Sequence, residues 1–288
     1  MNHHSVRLPT YFLSHGGGPW PYMTGEFRAG MAQLEQSLLE MRQELADLPQ
    51  AVLVVSGHWE ERGFAVSSGT RPGMVYDYYG FPDELYHIRY GAPGSPELAR
   101  RVQGLLAAQG IDARMDPTRG FDHGTFSLMK PLYPEETLPV VQLSLDADLD
   151  PALHLAAGQA LAPLRDEGVL IVGSGLSFHN LRLTRGTAGF APSRQFDGWL
   201  QHVLTLASPD ERVHQLIDWK NAPAARIAHP REDHLLPLMA VVGAALEEPG
   251  QVTYHQTDFF GGITASSFRF GAVPAAFLAT SGQHNLEH

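Results

Sequence analysis

The stretch Ala51–Glu60, AVLVVSGHWE, decides the fold. Its apolar residues run to Ser56 without the polar alternation of a half-exposed strand, so the segment reads as a strand buried on both faces. Strands of that kind belong to parallel sheets covered by helices. The same pattern recurs at Val169–Gly173, at Val140–Leu145, in the shorter run Tyr11–Ser14 and at Ala275–Leu278. Between these runs the spacing becomes helical. Phe27–Leu48 places Met31, Leu34, Leu38, Leu39, Met41 and Leu45 on roughly one face, and Glu97–Gln109 follows the capping pair Ser95-Pro96. Pro151–Glu167, Arg194–Leu206 and Asp233–Leu246 also read as helices. The expectation is an α/β fold with a mostly parallel central sheet flanked by helices. A single domain over residues 1–285 is expected, and Leu286–His288 reads as a tag remnant.

Composition narrows the function. With 288 residues, 43% hydrophobic and 18% charged, the chain can bury one large core. A net charge of −11 argues against nucleic acid and against an anionic membrane surface. The absence of cysteine excludes disulfides, thiolate metal sites, iron–sulfur clusters and a cysteine nucleophile. No run reads as a signal peptide or approaches the roughly 20 apolar residues of a membrane span, so a soluble, cytoplasmic protein is expected.

Histidine is abundant, with 15 copies. In open α/β sheets ligands bind beyond the carboxyl ends of the strands, and three histidines fall there. His15 follows YFLS, His58 follows AVLVVSG and His179 follows VLIVGSGLSF, each with glycine close by. His234 lies in HPREDHLLPL, where Asp233 is expected to cap a helix, and His123 lies in the glycine-flanked loop GFDHGT. A lone histidine near a strand end is more often a hydrogen-bonding loop residue than a ligand. Several at the ends of one sheet are not expected by chance. His154, His202, His214 and His255 read as surface or core residues. An all-imidazole set would suit Zn, Fe, Cu or Ni rather than Mg or Ca, although no HExxH or HxH motif supports it.

Other chemistries find less support. The string His15-Gly16-Gly17-Gly18 invites an oxyanion loop, but no GxSxG nucleophile elbow follows, since Gly173-Ser174-Gly175-Leu176-Ser177 has the wrong register. No GxGxxG follows the first strand, and no GxxxxGK[ST] occurs anywhere.

SHGGGP, VVSGHWE, YDYYGFPDELYHIRYGAPGSPELA, RGFDHGTFSLM, GSGLSFHNLR and EDHLLPL occur in this order. Together they closely resemble the DOPA 4,5-dioxygenase type of class III extradiol ring-cleaving dioxygenases, related to protocatechuate 4,5-dioxygenase. The resemblance runs from His15 to the Phe268–Gly271 region. It implies a one-domain α/β fold and a mononuclear non-haem metal. His15, His58 and His234 match the family's ligand positions. His179 matches a catalytic base that can also bind the metal, and His123 matches a second acid–base histidine. The Tyr76–Pro93 segment is expected near the substrate pocket, with no individual roles assigned.

This sequence departs from the usual triad of two histidines and one carboxylate: the third position is His234, with Glu232 and Asp233 beside it. Such a site is expected to take Fe(II) for ring cleavage and Zn(II) readily on purification. The leading reading is an extradiol dioxygenase acting with O₂ on a small catechol, DOPA-like compounds included. A non-catalytic metal-binding interaction protein of the same fold and, further off, a zinc hydrolase are the alternatives. The glycines after His15 are expected to turn the chain away from the metal and leave room for a flat aromatic substrate.

Overall fold

The computed structural model describes residues 6–274. They form one eight-stranded sheet from β1 (Thr10–Ser14), β2 (Ala51–Glu61), β3 (Phe64–Ser67), β4 (Ala113–Asp116), β5 (Val140–Asp146), β6 (Val169–Gly175), β7 (Gly250–Phe259) and β8 (Ile263–Phe270). The spatial order is β4-β3-β5-β2-β6-β1-β8-β7. The pairs β5–β2, β2–β6, β6–β1 and β3–β4 are parallel, whereas β3–β5, β1–β8 and β8–β7 are antiparallel. The expected α/β class and mostly parallel sheet are therefore present.

The uninterrupted apolar runs are explained by two cores. Leu53, Val55 and Ile171 point into one, and Val52, Val54, Leu170 and Val172 into the other, so β2 and β6 bury both faces. The helices that cover them are α1 (Gly25–Ala29), α2 (Ala32–Leu45), α3 (Pro96–Ala107), α4 (His123–Leu132), α5 (Pro151–Leu161), α6 (Phe190–Thr205), α7 (Pro209–Ile217), α8 (Ala225–Ala228) and α9 (Leu236–Gly243). Ser95 and Asp150 cap α3 and α5 through the amides of Leu98 and Ala152. α9 is buried all round, and it crosses α5 so closely that a Cβ on Gly158 would stand 2.1 Å from the Ala240 carbonyl oxygen.

Several expectations are corrected. The helix expected over Phe27–Leu48 breaks at Gly30 into α1 and α2. The one expected over Pro151–Glu167 passes into a 3₁₀ turn after Leu161. The one expected from Asp233 begins only at Leu236. β2 runs five residues past Ser56, with its register against β5 shifting between Val55 and Glu60. The run Ala275–Leu278 and the tag remnant lie outside the described residues. Among the described residues, no helix is long and apolar enough to cross a membrane.

Candidate metal centre

The carboxyl ends of β1, β2 and β6 are neighbours, so the segments leaving these strands meet at one rim. His15 comes directly after β1, its amide donating to the Gly175 carbonyl at 3.1 Å. His58 sits in the irregular stretch of β2, where residues unmatched on β5 bend the strand and aim its side chain at the rim. His179 follows β6, its amide donating to the Ala228 carbonyl at 3.0 Å. His234 lies in the turn before α9. That turn docks on the end of β6, with the Leu176 amide donating to the His234 carbonyl at 3.1 Å.

His123 is not in a loop. It opens α4, whose N-cap Asp122 accepts from the Thr125 amide at 3.0 Å. Asp233 caps nothing: its Oδ2 stands 2.6 Å from Nδ1 of the adjacent His234. The glycines after His15 serve only part of the expected purpose. Gly16 and Gly18 do turn the chain with φ of +79° and +50°. The space above them, however, is filled by Trp20 and Phe81, whose atoms lie within 2.7 Å and 2.6 Å of where a Cβ would be.

All five expected histidines converge. Nε2 of His58 is 3.2 Å from Nε2 of His15 and 3.1 Å from Nε2 of His234. The ring of His123 lies 3.9 Å from that of His58, and the ring of His179 stacks on His234 at 3.3 Å and 14°. The remaining ring nitrogens decide what the cluster can hold. Nδ1 of His58 is 3.0 Å from Asp77 Oδ2, so both it and Nδ1 of His234 donate to carboxylates. A neutral imidazole carries one N–H, so Nε2 of each ring is left as a lone pair. Two lone pairs 3.1 Å apart repel unless a cation lies between them. Nitrogens bound cis to one ion at about 2.1 Å would stand about 3.0–3.4 Å apart, so the donor set fits a single metal.

Burial, and then the neighbouring imidazoles, hold His15 and His234 well below the ordinary histidine range. The same causes push His179 down to about 3, and burial lowers His123. These rings are neutral near pH 7, the form in which imidazole binds metal or accepts a proton. Burial is the largest single influence on His58 and acts to lower it. The hydrogen bond to Asp77 and the nearby charges of Asp77, Asp122 and Asp233 together outweigh it and raise the group, so proton and metal compete for its Nε2.

Asp77 escaped the sequence reading. It lies in the Tyr76–Pro93 segment, which the motif pattern places near the pocket without assigning roles. Nothing local marks it, because its partners His58 and His123 are distant in the chain.

Comparison with known proteins agrees with this geometry. Residues 9–271 match the family described as the catalytic LigB subunit of aromatic ring-opening dioxygenase. A Beta vulgaris protein named 4,5-DOPA dioxygenase extradiol is 39% identical over 91% of this chain and 96% of its own length. An Escherichia coli K12 protein of the same name is 36% identical over 83% of this chain and 86% of its own length. The crystal structure of an uncharacterized Escherichia coli K12 protein superposes with a TM-score of 0.75 at 32% identity, covering 92% of this chain and all of that one. The chain belongs to this metal-dependent LigB family and is an extradiol ring-cleaving dioxygenase.

Proposed function

We propose that the protein cleaves the ring of a small catechol, with DOPA-like compounds as the first substrates to try, using one Fe(II) held by His15, His58 and His234. The observation that carries the proposal is the pair of Nε2–Nε2 separations of 3.1 and 3.2 Å around His58. Bound there, Fe(II) supplies the redox chemistry that lets a catechol react with O₂, and Zn(II) fills the same donors without that chemistry.

The chain's own residues do the rest. His179 lies face to face with His234 and has a neutral ring, so it accepts a hydroxyl proton from the catechol. His123, with Nδ1 2.7 Å from Asp77 Oδ1, presents Nε2 to the site as an acceptor, takes up the other catechol hydroxyl proton there and returns it as the ring opens. Its place as the first residue of α4 fixes its direction, because the Asp122 cap sets where the helix begins. The His179 ring stacks at 3.3 Å on that of the proposed ligand His234, which keeps it near enough to approach the metal as a fourth ligand. The names of the relatives support a DOPA-like substrate. So does the aromatic wall of Tyr76, Tyr78 and Tyr86, in which the Tyr78 ring lies 5.9 Å from His123.

The test is anaerobic loading with Fe(II), then O₂ and a panel of catechols that includes DOPA. A yellow ring-cleavage chromophore and matching O₂ uptake are expected. Protein shown to contain Fe(II) that consumes O₂ with no catechol would overturn the proposal. His58→Ala and His234→Ala are expected to lose the metal.

A further inference from the structure

One carboxylate touches two of the five histidines in different capacities. Asp77 Oδ2 lies 3.0 Å from Nδ1 of His58. Its other oxygen, Oδ1, lies 2.7 Å from Nδ1 of His123 and accepts the His123 backbone amide at 3.1 Å. The side chain is 18% exposed, and its place is set from several directions. The Val75 amide donates to the Phe121 carbonyl and the Phe121 amide to the Gly73 carbonyl, both at 2.8 Å. These bonds tie the Asp77 segment to the chain two residues before His123. The approach needs glycine, since a Cβ on Gly120 would stand 2.7 Å from the Gly73 carbonyl. On either side of Asp77, the Tyr76 hydroxyl donates to the Ile88 carbonyl at 2.8 Å and the Tyr78 hydroxyl to that of Leu85.

We propose that Asp77 is a positioning residue that couples the metal ligand His58 to the acid–base residue His123, so that one carboxylate sets the tautomer and aim of both rings. The proposal rests on the roles given to those two histidines above. With both Nδ1–H groups donated to Asp77, both Nε2 atoms face away from it, one as a metal-binding lone pair and the other toward the substrate. The ring separation of 3.9 Å keeps the second close to the first. An amide cannot do the same. Asparagine offers one acceptor and one donor, so it can take the N–H of only one histidine and sets N–H against N–H at the other. The ring that loses must move its proton to Nε2. For His58 that places a hydrogen where the metal should be; for His123 it removes the acceptor.

The experiment compares wild type, Asp77→Asn, Asp77→Glu, His123→Ala, the Asp77→Asn/His123→Ala double variant and His58→Ala. The measurements are Zn(II) affinity by chelator competition, the absorption spectrum with Co(II), and kcat and KM for O₂ uptake with Fe(II) and a catechol. Asp77→Asn should weaken Zn(II) about 10- to 100-fold, alter the Co(II) bands and lower kcat more than KM. His123→Ala should lower kcat while leaving Zn(II) affinity within about twofold, because its partner on the metal keeps Asp77. In the double variant kcat should fall little below the lower single variant, the signature of two residues acting through one contact. Asp77→Glu keeps both acceptors and should recover at least about tenfold of the lost affinity.

Zn(II) affinity and Co(II) bands unchanged in Asp77→Asn, or kcat losses that multiply in the double variant, would overturn the coupling. A glutamate variant as weak as the asparagine one would overturn it too; if the asparagine variant does not fold, a glutamate variant whose Zn(II) affinity falls about 100-fold or more below wild type overturns it. If His58→Ala retains metal, the ligand assignment itself is wrong, and that outcome is distinct from a failure of Asp77.

Discussion

Gly175→Ala tests whether the sheet itself sets the metal site. A Cβ at residue 175 would stand 2.1 Å from the His234 carbonyl oxygen and 3.0 Å from Cε2 of Phe12. The strand cannot give way, because Gly175 is paired with Ser14 of β1 and its neighbour Ser174 with Ser56 of β2. The turn carrying His234 must yield instead. Since real Cβ contacts do not fall under 3.0 Å, it retreats by at least about 0.9 Å. Ligand sites tolerate roughly 0.5 Å of displacement, so the 3.1 Å separation between His234 and His58 cannot survive.

The expected result is a loss of about 1–3 kcal/mol of folding stability from overpacking. Metal affinity should weaken at least tenfold, and turnover with excess Fe(II) should fall about 100-fold, as for a 1 Å misplacement. Urea unfolding, metal content after gel filtration and O₂ uptake measure the three. Gly198→Ala is the control: it lies in α6 with nothing within 4 Å of the added methyl, and should be neutral or slightly stabilising. A folded Gly175→Ala protein with normal metal content and turnover would refute the reasoning, because the close approach of β6 to the His234 turn would then not matter.

Other outcomes rest on particular contacts. Asp122→Ala removes the α4 cap, the acceptor for Ser56 Oγ at 2.9 Å and the partner of Arg119 at 2.7 Å. It should cost about 1–3 kcal/mol and lower kcat more than metal affinity, read by urea unfolding and chelator competition. His229 is fully buried, with Nε2 donating to the Ser177 carbonyl at 3.0 Å, and burial pushes it down from 6.5 to about 4. The unfolded chain therefore takes up this proton first as pH falls. Stability is intact above about 6.5 and is lost between about 6.5 and 4, by up to about 3 kcal/mol. His229→Gln should remove that part of the acid loss in urea titrations run across the interval. Arg165 is 1% exposed and donates to the Leu8 and Ala244 carbonyls at 2.6 and 2.9 Å as well as to Glu248. Arg165→Met strands these acceptors and should cost about 3–5 kcal/mol in the same assay.

The parts of the fold legible in the sequence are those whose burial is symmetric. β2, β5 and β6 are buried on both faces along most of their length and therefore appear as continuous apolar runs. β8 went unread because its buried Thr264, Ser266 and Ser267 break any apolar run, and β7 went unread for the opposite reason to β2, β5 and β6. β7 lies at the edge of the sheet, and its burial is irregular along GQVTYHQTDF, so neither a run nor a clean alternation marks it. α4 is hidden differently: nine of its ten residues are buried and it contains Pro131, so it has no polar face to show a helical period. Its capping residue Asp122 was in view, but the glycines on either side of FDH read as a loop.

Three of the five histidines, His15, His58 and His179, were found because strand adjacency turns nearness in one dimension into nearness in three, whereas His234 and His123 were picked out by their local motifs. β1, β6 and β2 lie side by side, so residues just past each strand must share a rim. No such rule reaches Asp77, which is held by a connection between β3 and α3 and meets His123 across 46 positions of chain. The carboxylates also explain how an all-histidine triad can serve where a carboxylate is usual. Asp77 and Asp233 stand one hydrogen bond behind two of the three proposed ligands, at 3.0 and 2.6 Å. Negative charge donated through an imidazole makes its far nitrogen a stronger ligand while leaving every ring neutral. The charge that a carboxylate ligand would place on the metal is thus set one layer outward, where it can also hold His123 and stand near His179.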